Sequence, residues 1–174
     1  MASKLETLLT HKGLLHEIPR ERLALLQGEV MNLFLASPRH RDESLVEFTL
    51  SVLPAIHFNQ FRVYRKDDQP IGWVSWAYMS DAEARGYMAG DFDFQVSTWI
   101  GGEHIWFIDF IAPFGHALKI ADDLKKNVFP DDIAYAPDLE AEDGSKRVRK
   151  FFGGNVVGKD TDLSHEDFLI KVTG

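Results

Sequence analysis

The stretch Ile105-Trp-Phe-Ile-Asp-Phe-Ile-Ala-Pro-Phe-Gly115 constrains this chain more than any other. It is apolar on both faces for a strand's length and is then stopped by Pro113 and Gly115, the pattern of a central strand covered on both sides. Its one carboxylate is Asp109. Strand alternation predicts that Asp109 shares a face with Ile105, Phe107 and Ile111 and points into apolar surroundings. An ionised carboxylate there is costly unless something pairs with it. Asp109 therefore requires a partner from elsewhere in the chain.

A chain of 174 residues is long enough to enclose such a strand in one domain with a proper core. The formal net charge of -8 supplies no basic field for nucleic acid. Cysteine is absent, which excludes disulfides, thiolate metal ligands and a cysteine acyl-enzyme, and fits a reducing compartment. The start, Met1-Ala-Ser-Lys-Leu-Glu-Thr, has no signal-peptide pattern, and no stretch approaches the roughly 20 apolar residues of a spanning helix. The expectation is a soluble cytoplasmic protein without stable membrane insertion.

Ser3 and Glu6 form a capping box for a short helix, and Pro19 suits the first turn of a second, in which Leu23, Leu26, Val30, Leu33 and Phe34 share a face. That helix should end near Ala36, before Ser37-Pro-Arg-His-Arg41. Two readings of this stretch stand. Ser37 is an N-cap with Pro38 in the first turn, or His40 is a general base at the lip of a cleft. A helix from Glu43 to Leu53 follows, stopped by Pro54. Phe61–Arg65 and Ile71–Tyr78 flank the polar cluster Lys66–Pro70 and predict a β-hairpin whose second strand lies deeper. Residues 80–90 read as a short helix opened by Ser80 or Asp81, and 91–102 as a loop or ragged strand.

After Gly115, Ala117, Ala121, Leu124 and Val128 line a helical face that ends before Pro130. Asp131 to Asp143 carries six acidic residues and no basic one, whereas Lys146-Arg-Val-Arg-Lys150 carries four basic residues in five. A strand over Arg147–Phe152 puts Arg147 and Arg149 on one face with Phe151, either as a solvated edge or as a docking patch for an acidic partner. Ser164 to Val172 could form a last helix. No phosphate loop, dinucleotide fingerprint or nucleophile elbow is present, and His104 and His116 lack the spacing of a zinc helix, so no metal is expected.

Ser37-Pro-Arg-His-Arg41, Val52-Leu-Pro-Ala-Ile56, Asn59-Gln60, Asp68-x-Pro70, Ser75-Trp-Ala77 and Trp106–Gly115 occur in this order. Together they resemble the toxin-activating lysine acyltransferases, activators of RTX haemolysins and cytolysins. The likeness spans roughly Leu26 to Phe152. It implies an α+β, single-domain fold like that of the Gcn5-related N-acetyltransferases, with a mixed central sheet flanked by helices. Residues 26–174 would form the acyltransferase domain, and 1–25 a helical extension with no family counterpart. Ser51 stands where the family usually has an asparagine, and the C-terminal region matches poorly.

The resemblance implies transfer of a fatty acyl group from acyl carrier protein to internal lysines of an RTX-type protoxin. The carrier is then a co-substrate, no cofactor is bound permanently, and a homodimer is open. Carried across residue by residue, the catalytic histidine falls on His40 and the aspartate on Asp109, with Ser37 and Ser51 accessory. At pH 7 a lysine of pKa about 10.4 is neutral at a penalty of roughly 4.6 kcal/mol. A histidine base suits that obstacle, and Asp109 would orient its imidazole and stabilise the cation. Lys146, Arg147, Arg149 and Lys150, or Arg39 and Arg41, would dock the acidic carrier. Two rivals remain: a catalytically silent binding module for a toxin or carrier, and an acetyl-CoA-dependent acetyltransferase, whose Gly-rich pyrophosphate turn this sequence lacks.

Overall fold

Residues 18–90, 96–138 and 147–156 are described by a computed structural model. The expected helices at 3–12 and 164–172, and Lys146, lie outside the described residues. Helix α1, Arg20–Ala36, buries Leu23, Val30, Leu33 and Phe34, the face its spacing predicts. It passes residue 25 without a break, so residues 20–25 belong to the same element as the residues after them.

Helix α2, Leu45–His57, begins later than its sequence suggests. Ser44 is its N-cap, in a reciprocal capping box with Glu47. Ser37 instead closes the C-terminus of α1, its N–H bonded to the Phe34 carbonyl, so the N-cap reading of Ser37 is corrected. Pro54 does not stop α2 either. An interior proline costs about 3 kcal/mol, but Val52, Leu53, Ala55 and Ile56 all enter the core around it and outweigh that penalty.

Strands β1, Phe61–Lys66, and β2, Gln69–Met79, form the expected hairpin. Asp67 and Asp68 turn it with positive φ values of 49° and 63°, a conformation tolerated by short polar side chains. Ser80 caps helix α3, Asp81–Ala89, and Gly90 ends it in the left-handed region. Of the stretch 91–102, residues 91–95 lie outside the described residues, and in place of a loop or ragged strand the remainder contains a short helix, α4, Val96–Ile100. Trp99 is completely buried there. A five-residue helix anchored by one tryptophan has too few positions to show a period.

Strand β3, His104–Ile111, is the central strand, followed by helix α5, Ala117–Asp123, and a π-helical turn, Leu124–Val128. The buried face of this helix centres on Ile120 and Leu124, while Ala117 is exposed. Strand β4, Ile133–Asp138, was hidden by its acidic and proline residues. Strand β5, Arg147–Phe152, has the bounds its pattern predicts and lies at the sheet edge.

The strands run β1-β2-β3-β4-β5 across one mixed sheet, antiparallel except where β3 meets β4. Side chains from α1 to α4 pack with Trp73, Ala77, Met79, Trp106 and Ile111 on one face. Ile120 and Leu124, with Phe129, cover Val74, Trp76, Ile105 and Phe107 on the other. The fold is α+β, a single domain of the Gcn5-related N-acetyltransferase kind. Among the described residues no helix is long and apolar enough to cross a membrane.

Two features of the sheet decide where the site lies. Ser75 faces Asp109 but Trp76 faces Phe107, so Ile108 is an extra residue, a β-bulge in β3. The bulge breaks the alternation. Ile105 and Phe107 pack on the α5 face, whereas Asp109 bonds to Trp73, which packs with Ile111 on the opposite face. The expectation that Asp109 shares a face with Ile105 and Phe107 is therefore wrong, and only Ile111 stays with it. Second, β3 and β4 pair only at Ile105–Ala134 and Trp106–Tyr135, and part from Phe107 onward.

Candidate active site

The chain leaves α1 through a tight turn in which the N–H groups of His40 and Arg41 both bond to the Ser37 carbonyl, at 3.1 and 3.0 Å. The turn carries the His40 ring back against Phe34, edge-on at 5.3 Å, and Phe34 meets Phe48 of α2 in the same way. Ser37 Oγ lies 2.8 Å from His40 Nδ1. His40 is only 6% exposed, so it sits beneath the surface and not at an open lip. Burial, and then the neighbouring Arg39 charge, lower its pKa to about 4. At neutral pH the imidazole is uncharged and can accept a proton.

Asp109 is equally buried, at 6% exposure. Ser75 Oγ donates to its Oδ2 at 2.8 Å and accepts from its backbone N–H at 3.2 Å. Trp73 Nε1 donates to the same oxygen from 3.4 Å, and the Ser51 hydroxyl, which donates to the Phe48 carbonyl at 3.4 Å, lies close enough to help lower the carboxylate's pKa. Burial raises the Asp109 pKa, opposed by these three side chains and by the charge of Arg39. The carboxylate's burial is thus met by Ser75 and Trp73, and His40 is not bonded to it. Since Ser75 takes the Asp109 N–H, that amide is not left over for an oxyanion.

Arg39 ties the halves together, because its charge acts on His40, Asp109, Glu43 and Tyr87 alike. Partial desolvation, then the Asp109 and Glu47 charges, raise the Glu43 pKa to about 7. The Tyr87 hydroxyl donates to the Phe107 carbonyl, beside the bulge, at 3.4 Å, and burial pushes its pKa up.

The structure therefore bonds Ser37 to His40, and Ser75 and Trp73 to Asp109, with Ser51 beside the carboxylate. It sets both groups in one electrostatic neighbourhood with Arg39. Arg147 and Arg149 are exposed on β5, Lys150 is half-buried there, and Arg41 is exposed on the His40 turn. Trp73, Ser75, Glu43 and Tyr87 are members that sequence reasoning missed. Ser75 gave one signal, since a serine inside an apolar strand must find a partner.

A family model for RTX toxin acyltransferases matches residues 20–152. Over 131 residues the chain is 37% identical to the uncharacterized protein sll0720 of Synechocystis, covering 74% of this chain and 88% of that one. It is 33% identical to the protein-lysine myristoyltransferase HlyC of Escherichia coli, covering 74% and 75% of the two chains. It is 32% identical to the RTX-I toxin-activating lysine-acyltransferase ApxIC of Actinobacillus pleuropneumoniae, covering 76% of each. With the match running from the start of α1 to the end of β5, the chain belongs to the RTX toxin acyltransferase family.

Proposed function

We propose that this chain transfers a fatty acyl group from acyl carrier protein to lysine side chains of an RTX-type protoxin, with His40 as general base. The observation that carries this reading is a buried, neutral imidazole, held at Nδ1 by Ser37, in one electrostatic neighbourhood with Asp109. The acceptor amine gives a proton to His40 and attacks the thioester carbonyl carbon. The tetrahedral intermediate then expels the carrier's thiolate, which takes the proton back from the imidazolium. Asp109 acts through its negative field on that cation, at a distance bridged by no hydrogen bond. Ser37 is a positioning residue in this scheme. The reaction belongs to the folded unit that begins with α1.

One observation favours the rival reading, a silent binding module: His40 and Asp109 are not bonded to one another. The deciding measurement is the intact mass of a co-expressed RTX protoxin. An added acyl mass that depends on His40 supports transfer. An unchanged mass, with a stable complex between the two proteins, leaves only binding.

A further inference from the structure

At neutral pH an acceptor lysine arrives as an ammonium ion, and amide formation removes two of its protons. His40 takes one of them as the amine attacks. The other must leave earlier, because an ammonium nitrogen has no lone pair to attack with. His40 cannot take both, since its Nδ1 lies against Ser37 and one nitrogen is left to act as a base. Asp109 is buried away from water, and its Oδ2 already receives Ser75 and Trp73.

The turn that carries His40 ends on a second carboxylate. The Glu43 N–H bonds to the His40 carbonyl at 3.0 Å, closing the turn that the Ser37 carbonyl opens. Ser44 and Glu47 follow as the capping box of α2, so the Glu47 carboxylate is committed to the Ser44 N–H, at 2.7 Å. Glu43 stands outside that cap, and its side chain is exposed. It nevertheless belongs to the site. The Asp109 charge from β3 acts on it, as do Glu47 from α2 and Arg39 from its own turn. Its own charge acts on Tyr87 of α3, whose hydroxyl bonds to the Phe107 carbonyl. The 37–43 turn, α2, α3 and β3 therefore meet around this carboxyl. Partial desolvation and the neighbouring carboxylates raise its pKa to about 7, against the pull of Arg39. A carboxyl near 7 is matched to a lysine about a thousandfold better than an imidazole near 4. Its exposure also lets water carry the proton away.

We infer that Glu43 takes the first proton from the acceptor lysine, at the entrance to the His40–Asp109 site. This rests on the acyltransferase reading and completes its proton count. The Glu43 carboxylate accepts a proton from the ammonium and leaves a neutral amine. The amine nitrogen bonds to the thioester carbonyl carbon, the C–S bond breaks, and His40 passes the second proton from nitrogen to the departing thiolate. Glu43 then releases its proton to water, so each turnover yields one amide, one thiol and one proton.

The test is the pH profile of kcat/KM for a purified RTX-type protoxin, with myristoyl-acyl carrier protein as donor, read by intact mass. Glu43→Gln keeps the volume and leaves the Ser44–Glu47 cap untouched, so folding is safe. The wild-type profile should rise through about 7 and then level. In Glu43→Gln the value should fall by about 10² at pH 7.5 and climb about tenfold per pH unit towards 9.5, as the lysine loses its proton unaided. Glu43→Asp should recover part of the loss at pH 7.5. His40→Gln should stay low at every pH, because its proton leaves after the amine is free. A Glu43→Gln profile parallel to the wild type, whatever its level, overturns the assignment and leaves the acyltransferase reading intact. A wild-type chain that modifies no lysine at any pH overturns both.

Discussion

Ser37 Oγ and His40 Nδ1 lie 2.8 Å apart inside one turn, and which of the two donates fixes the tautomer of the imidazole. When Nδ1 carries the proton and donates to Ser37, Nε2 is left as the base. When the serine donates instead, Nε2 carries the proton and cannot accept another. The proposed base requires the first arrangement, so in that scheme Ser37 acts on the tautomer. Ser37→Ala should lower transfer by about tenfold, less than loss of the base, whose contribution is typically about 10²–10⁴. Its acid limb should also move, because His40 loses its hydrogen-bonded neighbour. A loss as complete as that of His40→Ala, with an acyl adduct on Ser37 in the wild type, would replace this role with a covalent one.

Replacing His40 tests the base itself. His40→Ala leaves space beside Phe34, so His40→Gln is the companion variant, and both should melt within a few degrees of the parent. Transfer should fall by about 10²–10⁴ in each. Retention of more than a tenth of the parent's transfer in a folded variant removes His40 from the mechanism.

A histidine of pKa about 4 is a weak base for a lysine, since each unit of mismatch costs about 1.36 kcal/mol. Burial is the larger cause and Arg39 the second. Arg39→Gln should therefore move the His40 titration upward, from about 4 part of the way to 6.5, as followed by NMR of the ring protons. An anionic donor that neutralises Arg39 should act in the same direction. The sign for stability follows from the depressed value. The unfolded chain takes up this proton near 6.5 and the folded chain only near 4, so His40's contribution is present above 6.5 and is lost as pH falls to 4. In Arg39→Gln that window should narrow.

Asp109 has the opposite sign. Its folded pKa is raised, so its ionisation opposes folding, and the penalty grows as pH rises from the unfolded value of 3.8 through the folded one. Asp109→Asn keeps the volume and can still accept from Ser75 and Trp73. It should match or exceed the parent's stability at pH 8, with a smaller advantage at pH 5, and transfer should fall sharply. Equal transfer in the folded variant would reduce Asp109 to packing. A variant destabilised at both pH values would show that the two donors require a carboxylate.

Much of this arrangement was legible along the chain, and the rest was not, for reasons specific to each element. Strand β3, strand β5 and helix α1 declare themselves because runs of apolar or alternating residues are local signals. The need of Asp109 for partners was equally plain. The partners were not, because the Ile108 bulge exists only in the pairing of β3 with β2, and it turns Asp109 towards Ser75 and Trp73. Strand β4 escaped because Asp131, Asp132, Pro137 and Asp138 crowd the short apolar run between them, although Ala134 and Tyr135 pair with β3. The Ser37–His40 bond follows from the 37–43 turn, which a proline-initiated helix would have replaced.

The basic strand gives the last prediction. Arg147 and Arg149 are exposed on edge strand β5, beside Phe151, on a chain whose net charge is -8. An acidic carrier meets an unfavourable overall field and needs a local positive surface within about one Debye length, roughly 8 Å at physiological salt. Such complementarity acts chiefly on encounter and is weakened by salt. Reversing Arg147 and Arg149 to glutamate should raise the apparent KM for the acyl carrier by about tenfold at low salt, with the effect shrinking as salt rises. Turnover at saturating carrier should change by less than about twofold, because neither side chain belongs to the His40–Asp109 neighbourhood. Unchanged kinetics at low salt would make β5 a solvated edge strand and shift docking to Arg39 and Arg41, where the corresponding reversal would also disturb the titration of His40.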